Sequence, residues 1–124
     1  MVLSEREGHA AFDGGRYWAS QHNFFAAFKL LDWIRSEDAL RLLKMVMLAR
    51  ALTTEEDGHL PEEAALRHGD HSEIVQIGEL LRIWDTRPFH EFKAAAHSAK
   101  FALVGRGIDG FLQKFVAFGR RRLM

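Results

Sequence analysis

The 124-residue chain has no cysteine, only two prolines and a single tyrosine, and its formal net charge is zero. Without cysteine it has no disulfides, no thiolate metal site and no cysteine nucleophile, and an intracellular compartment is the natural expectation. No charged leader followed by an apolar run opens the sequence, and no unbroken apolar stretch of about 18 residues occurs. The expected protein is therefore soluble and cytoplasmic, with no membrane partner. β-Branched residues are few and no alternating segment is long enough to defend as a strand, which excludes a sheet. No low-complexity linker or internal repeat gives a second domain a place to begin. No Ser/His/Asp order, paired-carboxylate context or glycine-rich phosphate loop is present either, so the expectation is a protein that is not an enzyme and holds no cofactor.

Present instead are many Ala, Leu, Arg, Glu and Phe, residues that favour helix in this company. Hydrophobic residues make up 48% of the chain and charged residues 27%, enough for a real core at ordinary surface charge. The composition predicts an all-α fold, a compact bundle of about five to six helices forming a single helical domain over 1–124.

The neutral total conceals a division. From Arg87 onward eight basic residues face two acidic ones, a net +6, whereas the first 86 residues carry nine basic against fifteen acidic, a net −6. Such asymmetry points the last third at a polyanion. Thr86 is placed to cap a helix that starts near Pro88 and runs to about Val104. Phe89, Phe92, Ala96, Ala99 and Leu103 then form its buried stripe, and His90, Lys93, His97 and Lys100 an adjacent polar one. Phe101 falls beside that second stripe, which predicts an exposed ring among cations. Gly105 and Gly107 close the helix around Arg106. The next helix, about 108–121, sets Ile108, Phe111, Leu112, Phe115, Phe118 and Gly119 against Asp109, Gln113, Lys114, Arg120 and Arg121. It ends in the run Arg120, Arg121 and Arg122, which offsets the helix dipole and adds cations to the basic face.

Ahead of this, Ser4 and Glu7 have capping-box spacing, and Asp13-Gly14-Gly15 should stop the first helix. The stretch 16–35 carries apolar residues over more than half its circumference (Tyr17, Phe24, Ala26, Ala27, Phe28, Leu30, Leu31, Trp33, Ile34). It predicts a central helix packed on two sides. Trp18, His22, Phe25, Lys29 and Asp32 occupy the remaining side, where Trp18 and Phe25 are candidate protein-contact residues. Ser36 should cap a third helix over 37–52, with Ala39, Leu40, Leu42, Leu43, Val46 and Met47 buried and Glu37, Arg41 and Lys44 wet. Residues 53–60 read as a polar loop, followed by a short helix over 61–67. Asp70 with Glu73 should then open a helix over 71–84, with Ile74, Ile77, Leu80, Leu81 and Trp84 inward.

Two clusters bear on chemistry. His59, His68 and His71, with Glu62, Glu63 and Asp70, are of the type that ligates divalent metals. His68 and His71 straddle Gly69 at a helix break and match no His-Glu-x-x-His spacing, so a polar surface loop is expected and no metal. Arg16 and His22, with five residues between them, resemble the Arg-x(4–6)-His signature of the HEPN ribonucleases, small helical domains. That resemblance implies Arg16 as phosphate clamp and His22 as acid/base in RNA cleavage. Here the pair lies early in the chain, where the family carries it late, and a solvated histidine on a polar helix face is the expectation.

Size, helicity and one basic face together make the layout similar to the small all-helical subunit of multi-subunit CRISPR effector complexes. The resemblance implies a non-catalytic subunit of a nucleoprotein assembly that packs beside other protein subunits, copies of itself among them, and touches nucleic-acid backbone. Lys and Arg neutralise phosphates whatever the sequence, and a ring among them stacks on an unpaired base, which suits single strands. The expected contact residues are His90, Lys93, His97, Lys100, Phe101, Arg106, Lys114, Arg120, Arg121 and Arg122. The alternatives are a HEPN-like ribonuclease and a helical adaptor that binds only protein.

Overall fold

The structure, a computed structural model, describes residues 3–53 and 68–123; of residues 3 and 119–123 it describes the helical backbone without the side chains. Among the described residues every regular element is helical, as the composition predicts. The expected loop over 53–60, beyond Thr53, and the expected helix over 61–67 lie outside the description, as do His59, Glu62 and Glu63. The chain gathers into two compact units, Met1–His59 and Leu60–Met124.

The first unit contains α1 (Leu3–Asp13), α2 (Tyr17–Trp33) and α3 (Asp38–Ala51). α1 stops where expected, with Gly15 at φ 78° accepting the left-handed conformation that closes the turn. α1 and α2 approach closely at Gly8, where a Cβ would meet the Phe24 ring at 2.7 Å. Beside it the buried Ser20 hydroxyl donates to the Gly8 carbonyl at 2.8 Å. Small residues at the crossing let two backbones come together over the buried rings of Phe12 and Phe24. Ser36 acts close to its expected place: its Oγ accepts from the Asp38 amide at 3.2 Å, with Glu37 at the cap position itself.

Two expectations for this unit fail. α3, not α2, is the helix buried most completely: every residue from Leu42 to Ala49 is buried, including Lys44, which the helical spacing puts on the wet side. α2 buries Ser20, Gln21, Phe24, Ala27 and Phe28 but leaves Leu30 (51% exposed), Trp33 (84%) and Ile34 (63%) in solvent. Periodicity registers how much of a circumference is apolar. It does not register how many partners will arrive to cover it.

The described part of the second unit contains α4 (Ser72–Thr86), α5 (Phe89–Ala96), a 3-10 turn (Ala99–Phe101), α6 (Ala102–Gly105) and α7 (Asp109–Leu123). Its core is the predicted set from α4, joined by Phe92, Val104, Ile108, Phe111, Leu112 and Phe115. The caps differ from expectation. His71, not Asp70, caps α4, its Nδ1 accepting from the Glu73 amide at 3.2 Å. Thr86 ends α4, with its hydroxyl turned back onto the Arg82 carbonyl at 2.7 Å, and Pro88 takes the cap of α5.

The helix expected over 88–104 is broken. Ser98 is extended at φ −83°, ψ 156°, and its hydroxyl donates to the Ala95 carbonyl at 2.8 Å. Serine competes for backbone partners in this way, and here it ends α5 after two turns. The extra elements raise the described helices to seven, above the five to six expected.

Candidate nucleic-acid interface

In the second unit an aromatic series leads from the core to the surface. Trp84 of α4 lies 5.5 Å from Phe115 of α7, Phe115 packs edge-on to Phe92 of α5 at 5.8 Å, and Phe92 lies 6.0 Å from Phe89. These separations are those of favourable ring pairs. Phe89 is the outermost ring and only half buried. It forms one wall of a surface groove of about 290 Å³, lined by Phe89, Lys93 and His97 from the α5 side and Gln113, Val116 and Ala117 from α7. Positions 89, 93 and 97 follow at intervals of four, as do 113 and 117, so each helix presents one stripe to the groove. The floor is apolar, and a cation, an imidazole and an amide stand on its rim.

The break at Ser98 separates the expected basic stripe. Lys93 and His97 line the groove together, whereas His90 is exposed on α5 but is not part of it. Lys100 lies beyond the break, its Nζ 5.5 Å from the centroid of the Phe101 ring. Phe101 itself is 4% exposed and belongs to the core, which corrects its assignment as an exposed ring. An unbroken helix would have turned it outward, and the 3-10 turn turns it in. Arg106 and Lys114 are exposed on the same unit. Arg120, Arg121 and Arg122 lie in the last turns of α7, and their side chains are outside the described residues.

Groove residues that the sequence pattern did not single out are Phe89, assigned to the buried stripe, and Gln113, Val116 and Ala117. Their signal exists only once α5 and α7 are paired, because each stripe by itself reads as the ordinary border of an amphipathic helix.

In the first unit Trp18 is 58% exposed and stacks on His22, with centroids 5.2 Å apart and planes 8° from parallel. Phe25 is half buried against Phe28 at 5.7 Å, with Lys29 Nζ 5.2 Å from its ring centroid. Arg16 is exposed at the cap of α2, and His22 is exposed on the helix.

One ion pair joins α1 to α3. Arg41 of α3 donates two hydrogen bonds to Glu5 of α1, at 3.0 and 3.1 Å. Those bonds, followed by the attraction of Glu5 and Asp38, outweigh desolvation and raise the guanidinium pKa above its ordinary value.

Among the described residues no group of three or more His, Asp or Glu side chains is placed to hold a metal, and no helix is long and apolar enough to cross a membrane. Comparison with protein-family models, curated proteins and solved structures gives no match.

Proposed function

We propose that the chain is a non-catalytic helical subunit of a nucleoprotein assembly, touching nucleic-acid backbone through its basic last third and neighbouring protein through α2. The observation that carries this reading is the placement of Lys93 and His97 on one groove, in a segment where eight basic residues face two acidic ones. Lys100, Arg106 and Lys114 are exposed on the same unit and extend the cationic surface. Phosphate contacts of this kind release counterions and bind without regard to sequence.

The protein-facing half of the reading draws on Trp18, Leu30, Trp33 and Ile34, large apolar side chains more than half exposed on or just after a single helix. Soluble proteins seldom leave such a group uncovered without a partner for it. A protein-only adaptor would use the same side chains and would have no use for the cations.

The two are separated by the salt dependence of binding to a labelled single strand. Replacing both Lys93 and Lys100 by alanine should flatten the log–log slope by roughly 1.4 units, about 0.7 for each lost phosphate contact. An unchanged affinity and slope would remove nucleic acid from the reading and leave the adaptor.

A further inference from the structure

We infer that the α5–α7 groove receives one unstacked nucleobase of a single strand, with the adjoining phosphate held by Lys93 and His97. The inference rests on the nucleic-acid reading above and assigns this groove its ligand chemistry.

Three features select that ligand. The first is size: about 290 Å³ falls just below the roughly 300–1,000 Å³ of small-ligand sites, so the groove suits one planar ring rather than a folded partner. The second is the lining. Phe89 offers an aromatic wall, and Val116 and Ala117 an apolar floor, which together suit a flat ring leaving water. Gln113 adds an amide that both donates and accepts, as a base edge requires. The third is charge: among the described residues the lining carries Lys93 and His97 and no carboxylate, so an aliphatic or neutral aromatic occupant would leave the lysine without a counterpart, whereas a nucleotide supplies ring and anion together. Phe89 thereby fills the stacking role that the buried Phe101 does not, and it is supported by Phe92, which itself packs on Phe115.

The test compares two strands of equal length and charge, one bearing pyrimidine bases and one abasic, against the full chain and two variants. The parent should prefer the base-bearing strand by roughly 5- to 150-fold, the worth of stacking one base. Ala117→Trp fills the groove from an exposed position and should abolish that preference while leaving the salt slope intact. Lys93→Ala should lower the slope by about 0.7 and retain a preference for bases. If Ala117→Trp discriminates between the strands as the parent does, the groove is not a base site. If the parent binds both strands equally with a steep salt slope, the groove assignment falls and the backbone reading stands. If neither strand binds, both readings fall. Displacement of the base-bearing strand by polyglutamate at equal charge, unaffected by Ala117→Trp, would reassign the basic surface to acidic peptide and overturn the inference.

Discussion

The two units dispose of polarity in opposite ways. Among the described residues the buried polar and charged side chains, Glu5, Ser20, Gln21, Lys44 and Thr53, all belong to Met1–His59. Four of the five large apolar side chains exposed, Trp18, Leu30, Trp33 and Ile34, belong there too, with only Val75 in the other unit. In Leu60–Met124 Trp84, Phe92 and Phe115 form a connected aromatic interior, and the described lysines and arginines are exposed. A buried ion pair contributes little net stability but penalises any arrangement that leaves one charge alone, so it selects one packing. The first unit thus combines buried polar partners that define helix positions with exposed apolar side chains, and the described part of the second is an apolar core under a charged surface.

The largest expected effect tests the second half of that contrast. Phe115 is fully buried and touches both Trp84 and Phe92. Phe115→Ala should lower stability in urea by about 3–5 kcal/mol, the usual cost of an emptied aromatic site. A loss below about 1 kcal/mol would mean that the aromatic series does not hold this unit together.

Glu5→Ala tests the first half. It removes the two carboxylate oxygens that accept from Arg41 at 3.0 and 3.1 Å, leaving Asp38 Oδ1 at 3.7 Å, and should cost about 2–3 kcal/mol, with much of that cost recovered when Arg41 is also replaced. The raised arginine pKa fixes the sign of the pH dependence. A group whose folded pKa is raised contributes fully below its unfolded pKa, which for arginine already lies far above neutral pH. Its share is lost only as pH climbs through the still higher folded value, so Arg41 adds no slope between about pH 5 and 9. Additive single and double losses would show that the pair does not couple α1 to α3.

How much of this was legible in the sequence follows the same divide. All-α composition and the inward face of α4 were readable because helical spacing and burial agree there. The core side of α7 was readable for the same reason. α2 reads as packed on two sides because so much of its circumference is apolar, whereas Trp33 and Ile34 are in solvent. Lys44 is buried and Arg41 half-buried on the stripe that reads as wet, and no spacing rule marks either. Lys93 and His97 were identified as neighbours on a helix. The groove they line needs α7, and Phe101 depends on the break at Ser98, where a local hydroxyl bond overrides an uninterrupted helical pattern.

The smallest effect compares two helix ends within the first unit. α1 and α2 close with the same pair of hydrogen bonds: Arg16 N–H to Ala11 O and Gly15 N–H to Phe12 O in one, Ser36 N–H to Leu31 O and Arg35 N–H to Asp32 O in the other. This is the Schellman arrangement, which needs a left-handed residue just past the cap. α1 supplies Gly15 at φ 78°, and α2 supplies Arg35 at φ 57°, where a Cβ is strained by about 1 kcal/mol. Arg35→Gly should release that strain, less the entropy a glycine adds to the unfolded chain, for a net gain of about 0.5 kcal/mol. Gly15→Ala should show the reverse sign, a loss of about 1 kcal/mol, because no neighbour stands within 4 Å to compensate by packing. Both are read from urea midpoints at constant slope. If Arg35→Gly destabilises, the arginine side chain holds α2 in place by more than its backbone strain costs, and the closing turn of α2 would join Glu5 and Arg41 as a device that fixes helix positions in the first unit.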